Sequence, residues 1–240
     1  MPDPIIAYCG PAAIPETFWL DWNLDPPLLA ALLGFGALIA AGRTAAPRAA
    51  SAALAILILV LVSPLCALSS ALFSARVLHH VLLVAVVAPL LALALPARRL
   101  PIGPIGLLVG LHAAVLWTWH APGPYTWGLA SLPAYWLMQA SLIASAWALW
   151  RAVLDPRAER MAALLALVAT IAQMGMLGAL ITFAPQPLYL VHLASTGPWG
   201  LAPLADQQLA GLTMWVPAIL PYLGVGLWLA YSSLRAEPAR

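Results

Sequence analysis

Charged residues are scarce in this chain of 240 residues: they make up 8% of it, whereas hydrophobic residues make up 64%. Lysine is absent, so all ten basic residues are arginines, and only two residues are cysteines. Soluble domains have about a quarter of their residues charged, so this composition excludes a cytosolic enzyme, a nucleic-acid-binding protein and a disordered scaffold. Two cysteines are too few for a disulfide framework. With a mean hydropathy of +0.96, the chain is expected to be an integral membrane protein.

Apolar segments long enough to cross a bilayer lie between clusters of proline, glycine and arginine. A hydrocarbon core of about 30 Å takes about 20 residues of α-helix. The sequence predicts seven spans, of which the first and fourth are the shortest. They cover residues 27–41, 49–72, 77–96, 104–119, 134–153, 160–183 and 209–234. The predicted fold class is therefore an all-α bundle of seven transmembrane helices over residues 27–234, between an N-terminal segment, 1–26, and a short tail, 235–240.

The arginines predict how this bundle is oriented. All but Arg76 fall on one side of it: Arg43, Arg48, Arg98, Arg99, Arg151, Arg157, Arg160, Arg235 and Arg240. Short arginine-rich loops stay in the cytoplasm, so we expect the N-terminus outside and the C-terminus inside. Tryptophan and tyrosine side chains are concentrated in the outer segments, where they are expected to act as interfacial anchors.

The N-terminal segment is expected to remain on the mature protein. It contains Asp3, Glu16 and Asp21 but no arginine, so it lacks the basic region of a cleavable signal peptide. Cys9 in this segment and Cys66 both fall on the predicted outer side. An oxidising compartment would allow them to pair, but the sequence leaves their separation open.

Ionisable side chains inside a membrane are costly and therefore mark candidate functional sites. Arg76 and His80 are four residues apart and share a helix face, whereas His79 points about 100° away from His80. We expect His80 about one turn below the outer end of its span and His120 at the outer mouth of the next. His112, about 12 Å before His120 along the helix, is not expected to share their site. Each imidazole also has a structural interpretation, as a hydrogen-bonded side chain near the interface.

Two methionines are predicted at a depth that suits the same site. Met174 and Met214 each lie about 12 to 14 Å below the outer surface. Thioether and imidazole ligands suit copper, so His80 and His120 with these methionines, and with His79 beside them, form a candidate copper site. The alternative interpretation of either methionine is that it fills apolar space.

Two polar residues, Asp206 and Gln207, lie just before the last predicted span. A carboxylate in the first turn of a helix satisfies backbone amides, and it would attract a cation to the rim of the candidate site. In the sixth span, Gly175 and Gly178 predict a close approach of another helix, with Gln173 as an interhelical hydrogen-bond partner.

Five segments, in their order, resemble the CtaG family of cytochrome c oxidase assembly factors, the multi-span group named for the caa3-type oxidase. They are WNLDPPLL from Trp22, FSARVLHHVLLVAVVAPLLAL from Phe73, WTWHAPGPY from Trp117, QMGMLGALITFAPQPLY from Gln173 and LADQQLAGLTMWVP from Leu204. The resemblance implies a seven-helix protein of the bacterial inner membrane, without enzymatic activity, that helps assemble haem–copper oxidase by handling copper at its periplasmic face. It implies nascent oxidase subunits as partners, with a periplasmic copper chaperone as a further candidate.

The chain departs from the family pattern at two places. Many members read His-Met-x-Gln-His where this chain runs from Arg76 to His80, so Arg76 replaces a histidine and His79 replaces the glutamine. Many members also carry a Glu-His pair in the fifth span, where this chain has Met138 and Gln139. The positions that fit the pattern are His80, His120 and Asp206.

Two other classes of membrane protein compete with an assembly factor. A transporter for copper or a small solute needs a polar path to the cytoplasmic side, yet the inner halves of the second, third and seventh spans are nearly all Leu, Val and Ala. A haem-binding or quinone-linked redox protein needs axial ligands from facing helices, and His80 and His112 differ in predicted depth. The sequence therefore favours the assembly factor.

Overall fold

The computed structural model describes residues 7–95 and 103–236. Every regular element within these residues is helical, apart from an isolated bridge between Ala7 and Gly10. The helices are α1 (Pro26–Ala40), α2 (Pro47–Leu61), α3 (Leu65–Ala71), α4 (Phe73–Ala94), α5 (Ile105–His120), α6 (Pro122–Ala130), α7 (Leu132–Leu154), α8 (Arg160–Thr182), α9 (Pro203–Trp215) and α10 (Leu220–Ala236). A π-helical turn, Leu82–Val87, lies within α4, and 3₁₀ turns occur at Phe18–Leu20, Leu190–His192, Gly197–Trp199 and Pro217–Ile219.

Four helices of the described chain are long and apolar enough to cross a membrane. They are α4, α7, α8 and the continuous helix Pro203–Arg235 formed by α9 and α10. Two bent pairs, α2 with α3 and α5 with α6, raise the number to six if each pair counts as one span, and α1 is a shorter apolar helix of 15 residues. An all-helical chain with four to six candidate spans is thus confirmed, while the count of seven and the orientation stay predictions.

Bends divide one of the predicted spans and end another. The second is divided into α2 and α3, which meet at 45° with Pro64 in the break. The fourth is followed, after a 73° bend at Pro122, by α6, which the sequence analysis did not predict. Proline has no backbone N–H and disfavours helical conformation in the residue before it, so each break falls where the backbone ladder is interrupted.

The π-helical turn of α4 ties this helix to α7. In the turn, Ala88 N–H donates to the carbonyl of Leu83, one residue further back than in an α-helix. The next N–H in the series is missing, because residue 89 is Pro89. Trp150 Nε1 donates instead to the carbonyl left over, that of Val84, at 2.9 Å. The bond fixes α7 against the C-terminal half of α4.

The predicted close approach on α8 is present, and its partner is α9. A Cβ on Gly211 would overlap Thr182 Oγ1 and lie 2.5 Å from the Gly178 carbonyl oxygen. Gln173 makes the predicted interhelical hydrogen bond, accepting from Trp117 Nε1 of α5 at 3.0 Å. Both predictions for this segment are confirmed.

The bundle has two chemically different ends. At the first, which we call the arginine end, Ala45 N–H in the α1–α2 loop donates to the Ala94 carbonyl at the end of α4 at 2.8 Å. Asp206 near the start of α9 meets the start of α4, and Trp150 near the end of α7 meets Val84 of α4 and Tyr222 of α10. The three helices therefore run in one direction, and the α7–α8 loop and the end of α10 lie at this same end. Pro96, Arg98, Arg99 and Arg240 of the predicted scheme lie outside the described residues.

The second end, which we call the histidine end, is formed by residues 7–25, α3, α6 and the loop 183–202. Here Cys9 and Cys66 form a disulfide with their Cα atoms 5.2 Å apart, so the pairing that the sequence left open is present. Tyr8 stacks on Tyr135 of α7, with 4.7 Å between ring centroids. The N-terminal segment is therefore fastened to two helices of the bundle.

Candidate functional site

The first turn of α4 is held by a carboxylate from another helix. Leu72, which precedes the helix, offers no side-chain cap, so the first amides need an outside acceptor. Asp206 of α9, only 1% exposed, accepts from Phe73 N at 2.7 Å, from Ser74 N at 3.2 Å and from Ser74 Oγ. The sequence suggested that Asp206 caps its own helix, but these hydrogen bonds go to α4. Its negative charge at the N-terminus of α4 also suits the helix dipole.

Two of the predicted ligands, His80 and His120, lie side by side. Their ring centroids are 5.4 Å apart and their planes are inclined at 86°. The side chains are 1% and 3% exposed. His80 lies two turns into α4, because the helix begins at Phe73 and not near residue 77 as predicted. His120 is the last residue of α5, where α6 follows after a sharp bend, and its side chain is buried instead of open at a mouth.

The hydrogen bonding of His120 identifies which ring nitrogen is free. Nδ1 lies 2.8 Å from the Leu116 carbonyl oxygen, and because a carbonyl can only accept, Nδ1 carries the proton. Nε2 then has a lone pair, and it has no hydrogen-bond partner in the described chain. Both ring nitrogens of His80 also lack a partner there. Metal-bound histidines are commonly oriented by such a backbone bond from the other nitrogen.

His79 adjoins His80 but turns to another side, as the helical spacing predicts. The two ring centroids are 5.8 Å apart and the planes are inclined at 88°. The Gln139 amide of α7 lies next to His79, yet neither residue makes a hydrogen bond of ordinary geometry through its side chain within the described residues. A row of polar side chains therefore runs from His80 through His79 to Gln139 on α7.

Arg76, one helical turn before His80 on α4, is a completely buried cation. It is 0% exposed, and its Nε donates to the Ser69 carbonyl at 3.2 Å. The guanidinium carbon lies 5.5 Å from the centre of the Tyr135 ring. The terminal nitrogens Nη1 and Nη2 have no hydrogen-bond partner among the described residues. No carboxylate of the described chain forms an ion pair with Arg76.

A family model described as cytochrome c oxidase caa3 assembly factor (Caa3_CtaG) matches residues 104–236, more than half of the chain. The chain belongs to this family. The resemblance found in the sequence is therefore confirmed, and the matched part contains His120 and Asp206. No curated protein and no solved structure matches the chain.

Three aromatic rings pack together next to His120 in this family member. We call Phe73, Tyr125 and Tyr189 the aromatic cap. Phe73 stacks on Tyr189 at 3.6 Å between centroids and meets Tyr125 edge-on at 5.2 Å. Tyr189 Oη donates to the His120 carbonyl at 2.6 Å. These tyrosines are buried, whereas aromatic residues of these segments were expected to be interfacial anchors.

The two predicted methionine ligands of the family member lie in its core. Met174 on α8 and Met214 on α9 are 1% and 2% exposed, and both belong to the buried cluster that includes Val77 and Val81 of α4. No group of three or more His, Cys, Asp or Glu residues able to hold a metal occurs in the described chain. A metal at the histidine pair would therefore need a ligand of another type, and a thioether is one.

Gln207, which was predicted near the rim of the site, and His112, which was not expected to share it, both have structural roles in this family member. Gln207 Oε1 accepts from Leu188 N at 2.6 Å and its Nε2 donates to the Ile181 carbonyl at 3.1 Å, which fastens the α8–α9 loop. His112 Nδ1 lies 3.0 Å from Ser145 Oγ of α7.

His192, which was not among the candidate metal ligands, links three parts of the histidine end. Its Nδ1 donates to the Ala71 carbonyl at 3.1 Å, so its Nε2 accepts from Tyr125 Oη at 2.7 Å. Burial lowers the pKa of His192 to about 4, and the charge of Arg76 adds to this effect. The one sequence signal for it was its place in the polar segment between the last two spans.

Proposed function

We propose that this caa3 assembly factor handles copper for the oxidase, binding Cu(I) between His80 and His120. The observation that carries the proposal is the pair of adjacent, buried imidazoles whose free nitrogens have no other partner. Leaving a buried polar nitrogen without a hydrogen bond costs about 1–3 kcal/mol, so such nitrogens need a ligand to account for them.

The spacing of the two rings suits one shared ion. An imidazole nitrogen lies about 1 Å from its ring centroid and a metal–nitrogen bond is about 2 Å long, so two such bonds join centroids up to about 6 Å apart. The observed 5.4 Å lies within this limit. Cu(I) accepts soft ligands, which makes Met174 and Met214 the candidates for a third bond.

Asp206 has a positioning role in this proposal. Its carboxylate fixes the first turn of α4, two turns before His80, and so sets the height at which that imidazole faces His120. It also adds a negative charge at the histidine end, which favours a cation there.

We further propose that the histidine end faces the periplasm of a bacterial inner membrane. Disulfides persist in oxidising compartments, which suits the end that contains Cys9 and Cys66. Arginine-rich loops favour the cytoplasm for the opposite end. Copper is then cargo, received from a periplasmic chaperone and passed to a nascent oxidase subunit without turnover chemistry.

Anaerobic Cu(I) titration of detergent-purified protein against a competing Cu(I) chelator tests the copper proposal. We expect His80→Ala and His120→Ala each to weaken Cu(I) binding by at least about tenfold, because each removes one direct ligand. His112→Ala is the matched control, since it removes a buried imidazole that Ser145 holds elsewhere. Equal Cu(I) affinities in the wild type and all three variants would contradict the proposed site. So would a loss of affinity in His112→Ala as large as in the other two variants.

A further inference from the structure

Arg76 carries a buried positive charge that forms no ion pair with any carboxylate of the described chain. Its surroundings supply one backbone carbonyl for Nε and the face of one tyrosine ring. The four N–H bonds of Nη1 and Nη2 have no acceptor of ordinary geometry. A buried charge without a counter-ion is far costlier than a buried neutral polar group, so this arrangement calls for a negative partner.

The polar groups near Arg76 cannot serve as that partner. The hydroxyls of Tyr125 and Tyr135 lie within hydrogen-bonding reach of the guanidinium, although not in ordinary geometry. They are neutral, so they cannot balance its charge, and Tyr125 donates its own proton to His192. The carboxylate of Asp206 is negative, but its oxygens accept from the first turn of α4 and form no ion pair with Arg76.

We propose that Arg76 binds a small monovalent inorganic anion, a halide such as chloride, in a buried site at the histidine end. The terminal nitrogens present donors in a fixed fork, and the neighbouring imidazoles of His79 and His80 have unpartnered nitrogens that are able to donate as well. One guanidinium balances one negative charge. A fully buried position disfavours larger or multivalent anions such as phosphate, because their desolvation is more costly.

The anion would also affect the neighbouring metal, a consequence that rests on the proposed function. Arg76 shares a helix face with His80, so a cation bound at His80 would be repelled by the guanidinium. An anion between the guanidinium and the metal ion would attract both, and these two attractions would offset the repulsion between the two positive charges.

Thermal unfolding of metal-free protein in a chloride-free gluconate buffer tests the anion site independently of copper. Replacing gluconate by chloride at constant ionic strength should raise the Tm of the wild type saturably, by about 2–4 °C, because the halide binds only the folded state. Bromide should act in the same way. Arg76→Gln should lose this response, and Arg235→Gln, which changes an exposed arginine at the opposite end, should keep it.

A direct measurement covers the case in which Arg76→Gln does not fold. Wild-type protein should broaden the ³⁵Cl NMR line of chloride, bromide should compete, and Arg76→Lys should retain a weaker response because it keeps the charge without the fork. An unchanged wild-type Tm and line width would mean that water alone surrounds Arg76. A chloride response that persists in Arg76→Gln would place the anion elsewhere. Either result would overturn the proposal.

Discussion

At the scale of single residues, His192 makes the histidine end sensitive to pH. Its pKa is lowered to about 4 from an ordinary value of 6.5, first by burial and then by Arg76. The unfolded chain therefore binds a proton that the folded chain does not between about pH 6.5 and 4. Stability is complete above this window and falls as the pH drops through it.

The expected size of this effect is up to about 3 kcal/mol, because one pKa unit corresponds to about 1.4 kcal/mol. His192→Gln keeps an amide donor and acceptor but removes the titration. We expect its Tm to fall less than that of the wild type between pH 7 and pH 4.5, measured by tryptophan fluorescence in detergent. The other buried histidines are present in both proteins and cancel in the comparison. If the Tm of the two proteins falls equally with pH, His192 does not contribute to the pH dependence of stability.

Residue chemistry was predictable here, but residue partners were not. Helical spacing correctly separated His79 from His80, because neighbours on a helix point about 100° apart. The partner of Asp206 is 133 residues away in the sequence, in the first turn of α4, and no local pattern indicates such a contact. The pairing of Cys9 with Cys66 was left open for the same reason.

At the scale of helices, apolar segments of 15 residues or more were located, whereas two helices of fewer than ten residues were not predicted as separate elements. The bounds predicted for α8, 160–183, differ from Arg160–Thr182 by one residue. Helices α3 and α6, of 7 and 9 residues, are too short to leave a periodic pattern. Missing α6 had a consequence at the site, because the sequence placed His120 at an outer mouth, whereas it lies buried at the junction of α5 and α6.

The crossing of α8 and α9 gives a prediction about stability. Gly211→Ala should lower the free energy of unfolding by about 1–3 kcal/mol, because the new Cβ would collide with backbone atoms of α8 that cannot rotate away. Gly224→Ala is the matched control, since a Cβ there has no heavy atom within 4 Å. Thermal unfolding of both variants in the same detergent measures the difference. If Gly211→Ala has the same Tm as Gly224→Ala, α8 and α9 do not pack as closely as the structure shows.

At the scale of the whole molecule, the disulfide and the arginines make independent arguments for one orientation. The disulfide favours an oxidising compartment for the histidine end, and the arginine-rich loops favour the cytoplasm for the other. The α9–α10 helix connects the two, since it begins beside Asp206 and reaches Arg235 after 33 residues. Its length, about 50 Å at 1.5 Å per residue, exceeds the hydrocarbon core.

Reporter fusions test this orientation at both ends of the same helix. Alkaline phosphatase, which is active only outside the cytoplasm, should be inactive when fused after Arg240 and active when fused after Gly200, in the loop before α9. A green fluorescent protein, which folds in the cytoplasm, should give the opposite pattern. A periplasmic signal at Arg240 would reverse the bundle and put the disulfide in a reducing compartment. The histidine pair would then face the wrong side for copper received from the periplasm, so this result would contradict the proposed route as well as the topology.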